Sequence, residues 1–283
     1  LIADNRDGHI TERDGVLTAV LPDGAVWSRT IEDLCDRRYG VGADGLMLLE
    51  TGNQATEDMP ATDFHMVYFN SDGSGGMMCG NGGRCIVAFA ADCGIKNFEF
   101  IAADGPHSAQ ILAAEAKSKT IRLRMKDVTE YVEYKTLSGP SVSSKGIFLD
   151  TGTRHYVRFV ENLKEYDIVG EGRDIRWKAE ELKPIGANVN YVEPVEGVVN
   201  VRTYEKGVED ETFACGTGIV ASCIASYVTG VKPSAEEEDG RVRYDVMAKR
   251  DKLAVDFIPS SHESVAQDVW LTGPAAYVAE IIL

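Results

Sequence analysis

Two stretches of this chain decide its fold by repeating one another. Phe64-His65-Met66-Val67-Tyr68-Phe69-Asn70 leads through a polar loop to Cys79-Gly80-Asn81-Gly82. Val199-Asn200-Val201-Arg202-Thr203-Tyr204-Glu205 leads through another to Cys215-Gly216-Thr217-Gly218, about half the chain further on. In each, a strand-like run rich in β-branched and aromatic residues ends in a cysteine–glycine unit that opens a helix-like run. Upstream, Gly40-Val41-Gly42-Ala43-Asp44 is answered by Pro184-Ile185-Gly186-Ala187-Asn188. Self-similarity over that distance predicts two domains of one design.

Working outward, Arg84 to Ala90 continues as a helix that Gly94 caps, and Ile219 to Val228 as one that Gly230 ends. Both runs are apolar nearly all round, which predicts helices buried on all sides. The remainder is rich in short β-type runs: 120–125, 147–149, 156–160, 189–192 and 252–257. The expected fold is α/β, of the α+β kind: two pseudo-symmetric domains, each a mixed sheet rolled around a central helix. A third echo relates Thr151-Gly152-Thr153-Arg154-His155-Tyr156-Val157 to Thr272-Gly273-Pro274-Ala275-Ala276-Tyr277-Val278, and 157–162 to Leu1-Ile2-Ala3-Asp4-Asn5. By that comparison the first domain spans 1–118 plus a returning C-terminal strand within 265–283, and the second spans 119–264. The chain opens in mid-pattern at Leu1, so a piece of the native N-terminus is expected to precede it.

Composition narrows the function. The chain has 283 residues, 44% hydrophobic and 26% charged, which is globular and excludes disorder or fibre. Its 45 acidic and 29 basic residues give a net charge of −16. That balance argues against nucleic acid or an anionic membrane as the partner, since both need a basic face. The longest uncharged run, Thr212 to Val231, carries three glycines and several hydroxyls, too polar to span a bilayer. No signal peptide is visible. Six cysteines without a Cys-x-x-Cys pair make a metal ribbon or a disulfide framework improbable, so reduced thiols in the cytoplasm are expected.

A cysteine at a helix N-terminus faces unpaired backbone N–H groups and the positive end of the helix dipole, and both favour a thiolate. The adjoining glycines let backbone amides approach a ligand oxygen. One cysteine ahead of a helix is more often packing than catalysis. Two identical constellations in a repeat are better explained by a cleft between the domains with a cysteine on each wall and an anion hole at both helix starts. A carboxylate held there would be stabilised as its neighbouring carbon lost a proton. Proton exchange at an amino-acid α-carbon fits: one thiolate takes the proton from one face, the opposing thiol returns one to the other. No pyridoxal site is evident, and no metal is expected. Cys35, Cys85, Cys93 and Cys223 fall on apolar patterns and read as core thiols.

The stretches Leu34-Cys35-Asp36-Arg37-Arg38-Tyr39-Gly40-Val41-Gly42-Ala43-Asp44-Gly45-Leu46, Phe69-Asn70-Ser71-Asp72-Gly73-Ser74, Cys79-Gly80-Asn81-Gly82-Gly83-Arg84-Cys85 and Ala214-Cys215-Gly216-Thr217-Gly218 together resemble diaminopimelate epimerases, in the right order along the chain. The resemblance implies cofactor-free interconversion of LL- and meso-diaminopimelate on a lysine and peptidoglycan route, by a homodimer. It implies Cys79 and Cys215 as the acid/base pair, with His155 and Glu205 assisting their ionisation. Asn70 and Asn188 match positions that bond the substrate's distal end, and Gly80, Asn81, Gly216 and Thr217 match the amides that grip the reacting carboxylate. The family's Glu-Arg-Gly stands here as Glu205-Lys206-Gly207, so Lys206 keeps the distal charge without the two-pronged grip. The family's Asn-Pro-His stands as Thr153-Arg154-His155, where Arg154 is a candidate to compensate for the missing amide. Three alternatives remain: a proline or hydroxyproline racemase, which typically carries His where Asn81 stands; a two-lobed amino-acid binder without turnover; and a thiol-redox protein, disfavoured by cysteines on separate helices.

Overall fold

The computed structural model describes residues 1–21, 23–56, 60–76, 78–139, 142–260 and 265–281. The chain forms two compact units, Leu1–Leu123 with Ala275–Leu283, and Arg124–Pro274. The sequence suggests divisions at 118/119 and 264/265; the units of the structure meet at 123/124 and 274/275, near the C-terminal ends of the strands Ser118–Arg124 and Ala266–Ala276.

The first unit contains β1 (Ile2–Asp4), β2 (Ile10–Arg13), β3 (Val16–Val20), β4 (Val26–Thr30), α1 (Ile31–Cys35), β5 (Gly45–Thr51), β6 (Phe64–Asn70), α2 (Gly80–Asp92), β7 (Glu99–Ala102), β8 (Gly105–Ala114) and β9 (Ser118–Arg124). Its main sheet runs β1-β5-β6-β7-β8-β9, and β2-β3-β4 form a separate antiparallel sheet. Leu17, Ile31, Leu34, Leu46, Leu48 and Phe69 join β3, α1 and the β5–β6 pair into one apolar cluster. Beyond the last strand, Tyr277 N–H donates to Lys117 C=O at 2.8 Å, so the chain end belongs to this unit.

The second unit contains β10 (Tyr131–Gly139), β11 (Val142–Asp150), β12 (Arg154–Phe159), α3 (Ile168–Lys178), β13 (Asn188–Val195), β14 (Val198–Glu205), β15 (Asp210–Thr212), α4 (Gly216–Val228), β16 (Ala235–Glu236), β17 (Val242–Met247), β18 (Lys252–Pro259) and β19 (Ala266–Ala276). Its sheet order is β19-β18-β17-β14-β13-β12-β11-β10, with β15 on β14 and β16 on β17. Parallel β12–β13 followed by antiparallel β13–β14 reproduces parallel β1–β5 followed by antiparallel β5–β6. The register agrees as well: Ile2 lies opposite Met47 as Arg158 lies opposite Tyr191.

The two signature helices are built alike. Each begins on a cysteine N-cap in extended conformation, Cys79 and Cys215. Each ends on a glycine with positive φ, Gly94 and Gly230, where a side chain would be strained. Ile95 N–H bonds Ala90 C=O and Val231 N–H bonds Ser226 C=O, the six-residue closure of a Schellman cap. Burial differs from the expectation of two fully enclosed helices. The run Gly218–Ser226 in α4 is wholly buried, whereas Cys85, Ala88 and Phe89 of α2 are half-exposed.

Strand alternation sorts β12–β14 into two faces. Tyr156, Val189, Tyr191 and Tyr204 pack with Ile168, Ile175 and Leu182 into the cluster under α3. The alternate residues, His155, Asn188, Asn190, Thr203 and Glu205, belong to the opposite face, the one α4 covers. Among the described residues no helix is long and apolar enough to cross a membrane.

Candidate active site

In the first unit the site residues gather at the start of α2. Cys79 Sγ accepts from Gly82 N–H at 3.4 Å, the bond that caps the helix. Arg84, buried one turn on, donates to Gly80 C=O at 3.3 Å and to Asn81 Oδ1 at 3.0 Å. A buried guanidinium thus adds positive charge to the dipole of the same helix start, a setting that favours an anion. The sequence reading quotes Arg84 only as part of a signature; its i+3 and i+4 spacing from Asn81 and Gly80 is the signal that it serves the first turn. Asn70 ends β6 in a tight turn, where its Nδ2 donates to Ser74 Oγ at 2.9 Å and Ser74 C=O accepts from its N–H at 2.7 Å. Hydrogen bonds from the Ser74 hydroxyl and N–H hold the Asp72 carboxyl in this turn below its usual range.

In the second unit Cys215 caps α4 and is buried, with Sγ 3.5 Å from Thr217 Oγ1. Thr217 is itself anchored, since its C=O accepts from Thr151 Oγ1 at 3.0 Å. His155, 0% exposed on β12, places Nε2 2.8 Å from Thr153 Oγ1 and 2.9 Å from Thr217 Oγ1. Its other nitrogen, Nδ1, faces Asn190 Nδ2 at 3.0 Å. Burial pushes the His155 pKa down to about 3, so the ring is neutral at physiological pH.

Asn188 joins two neighbouring segments: its Nδ2 donates to Arg154 C=O at 3.2 Å and its Oδ1 accepts from Lys206 N–H at 2.8 Å. Those two bonds fix which way its amide points. Glu205 ends β14, half-buried, and the Lys206 side chain is exposed. Arg154 is held over the Phe148 ring at 5.0 Å and donates to Leu182 C=O at 3.3 Å.

The structure therefore brings Cys79, Gly80 and Asn81 together in one unit, and Cys215, Thr217 and His155 together in the other, with Asn188 tying Arg154 to the Glu205-Lys206 corner. Asn190 and Thr203, which the sequence reading leaves unremarked, complete the second group: Thr203 Oγ1 donates to Asn190 Oδ1 at 2.9 Å. The four remaining cysteines, Cys35, Cys85, Cys93 and Cys223, all have thiol pKa values raised by burial, so they stay protonated. Of the cysteines among the described residues, only Cys79 and Cys215 occupy the N-cap position of a helix, and of the two Cys79 takes a backbone amide onto its sulfur.

With this geometry in view, the comparisons with known proteins are specific. A family model for diaminopimelate epimerase matches residues 16–130. A diaminopimelate epimerase of Flavobacterium psychrophilum is 41% identical over 88% of this chain and 87% of its own. Among solved structures, a Bacillus anthracis phenazine biosynthesis protein of the PhzF family matches with a TM-score of 0.63 at 14% identity, over 92% of this chain and 94% of that one. A probable proline racemase from Agrobacterium radiobacter matches at 0.61 and 14%, over 89% of this chain and 80% of that one. At such identities the two structures speak for the fold alone.

Proposed function

The chain belongs to the diaminopimelate epimerase family, and from that premise we propose that it interconverts LL- and meso-diaminopimelate with Cys79 and Cys215 as the acid/base pair. It is an amino-acid epimerase, an isomerase of lysine biosynthesis. The observation that carries the cysteine assignment is the matched pair of helix N-caps, each followed by glycine and each ending an equivalent strand–loop unit.

The chemistry follows from the residues. One cysteine, as thiolate, abstracts the α-proton. The other, as thiol, donates a proton to the opposite face, and the α-carbon inverts. Charge developing on the α-carbon spreads into the adjacent carboxylate, which the amides at Gly80-Asn81 and Gly216-Thr217 receive. Arg84 reinforces the first of these helix starts. No cofactor enters this scheme. Toward the distal end, Asn188 is oriented by Arg154 and Lys206 backbone groups, leaving one Nδ2 hydrogen and one Oδ1 lone pair to meet substrate. Asn70, Glu205 and the Lys206 ammonium complete the proposed assignment, and a cytoplasmic homodimer is part of the same proposal, supported by the resemblance to the family.

Asn81, where proline-type racemases typically carry His, favours diaminopimelate over proline as substrate. The test is epimerisation assayed separately with LL-diaminopimelate, L-proline and hydroxyproline. Turnover of diaminopimelate is expected, with Cys79→Ala and Cys215→Ala each slower by roughly 10²–10⁴-fold, the range for losing a positioned acid or base. Turnover of proline instead would overturn the substrate assignment. Retained activity in either alanine variant would overturn the pair.

A further inference from the structure

We propose that Asn190, oriented by Thr203, sets His155 as the neutral tautomer carrying its proton on Nε2, and that this leaves the Thr217 hydroxyl to donate its own proton to Cys215 Sγ. Asn190 is thereby a positioning residue that acts on the cysteine through two intermediaries. The inference deepens the assignment of Cys215 above.

One chain of contacts links these residues within the second unit. Asn190 lies opposite Val157 on β12 and opposite Thr203 on β14, so neighbouring strands hold it on both sides. Its side chain is 0% exposed. The amide orientation is determined by an acceptor: the atom facing His155 Nδ1 also lies 3.5 Å from Tyr156 C=O, which can only accept. Nitrogen therefore stands there, and Oδ1 receives the Thr203 hydroxyl. A donor aimed at Nδ1 requires Nδ1 to be bare, so the single proton of a neutral ring sits on Nε2. Nε2 then donates into the Thr153–Thr217 hydroxyl pair, whose oxygens are 3.0 Å apart. With its oxygen accepting from the ring, Thr217 has its proton free for the sulfur 3.5 Å away. Were the proton on Nδ1 instead, Nε2 would draw a hydroxyl proton toward itself and away from the sulfur.

A second observation supports the arrangement. A Cβ on Gly218 would run into Asn190 Oδ1, whereas at the equivalent Gly82 it would meet the thioether ends of Met47 and Met66 at 3.0 and 3.3 Å. The helix start carrying Cys215 is thus seated on a carboxamide, and the one carrying Cys79 on methionines. Ionisable residues on the elements around His155 include Asp150 on β11, Arg154 on β12, Glu205 on β14, Asp256 on β18 and Cys223 within α4. They are common to wild type and variants, so the comparison below isolates the hydroxyl chain.

Two measurements on the full chain test this. Nitrogen NMR of histidine-labelled protein is expected to show His155 protonated at Nε2 and bare at Nδ1; protonation at Nδ1 would overturn the proposal. The pH dependence of alkylation at Cys215, followed by mass spectrometry of its peptide, is expected to move upward by about one to two pH units in Thr217→Val, the size of a lost hydrogen bond to a charged group. Thr217→Ser should restore it, and Thr203→Val should shift it in the same direction by less. An unmoved profile in Thr217→Val would also overturn the proposal. If these shifts occur while diaminopimelate is not turned over, the catalytic assignment falls and this arrangement stands.

Discussion

Arg84 shows how much a single side chain contributes to the first helix start. Its guanidinium satisfies Gly80 C=O and Asn81 Oδ1 from within a buried setting. Arg84→Met keeps most of the packing volume but leaves those acceptors without this donor, and a buried acceptor stripped of its donor costs about 1–3 kcal/mol. Chemical denaturation should show a loss of that order, and epimerase assays a larger fall in kcat/KM than stability alone explains. Residues of this kind are only partly legible in sequence. Cys79 and Cys215 stand out because their motif is local and occurs twice. Asn190 and Thr203 do not, because what matters is their register opposite one another and opposite β12, which no short spacing encodes.

At the scale of elements, the two signature helices test how closely the halves correspond. Gly218→Ala would force a methyl against the Asn190 carboxamide, which is pinned on both sides, so a loss of roughly 1–3 kcal/mol is expected from overpacking. Gly82→Ala meets flexible thioether tips that can yield, and a smaller loss is expected. Urea unfolding midpoints of the two variants check the order; equal losses would show that the helix starts are seated alike. The strand–loop–helix units were readable from their repeated order and from glycines at both helix ends. α3 was not, because its buried stripe is narrow: Ile168, Gly172, Ile175 and Arg176 are its buried positions, and charged residues fill most of the rest. The antiparallel sheet β2-β3-β4 escaped for a related reason. It buries little beyond Leu17, so its strands lack a strong alternating apolar signal.

For the whole molecule, the buried neutral His155 couples folding to pH. Its folded pKa, about 3, lies below its ordinary 6.5, so between those values the unfolded chain binds a proton that the folded chain does not. The stability contribution is complete above pH 6.5 and is lost as pH falls toward about 3, with a slope approaching ~1.4 kcal/mol per pH unit inside the window. Thermal or urea unfolding between pH 7 and 5 should show this slope in wild type and a flatter one in His155→Gln; parallel slopes would mean that the ring takes up its proton alike in the folded and unfolded chain. The central claim is that two separate cysteines handle the proton on the two faces of one α-carbon. Its most direct measurement is the early reaction of LL-diaminopimelate in heavy water, with isotope located by mass spectrometry. The account predicts solvent deuterium at the α-carbon of the inverted product while recovered substrate stays largely unlabelled. Early deuterium in recovered substrate, or inverted product without deuterium, would contradict it.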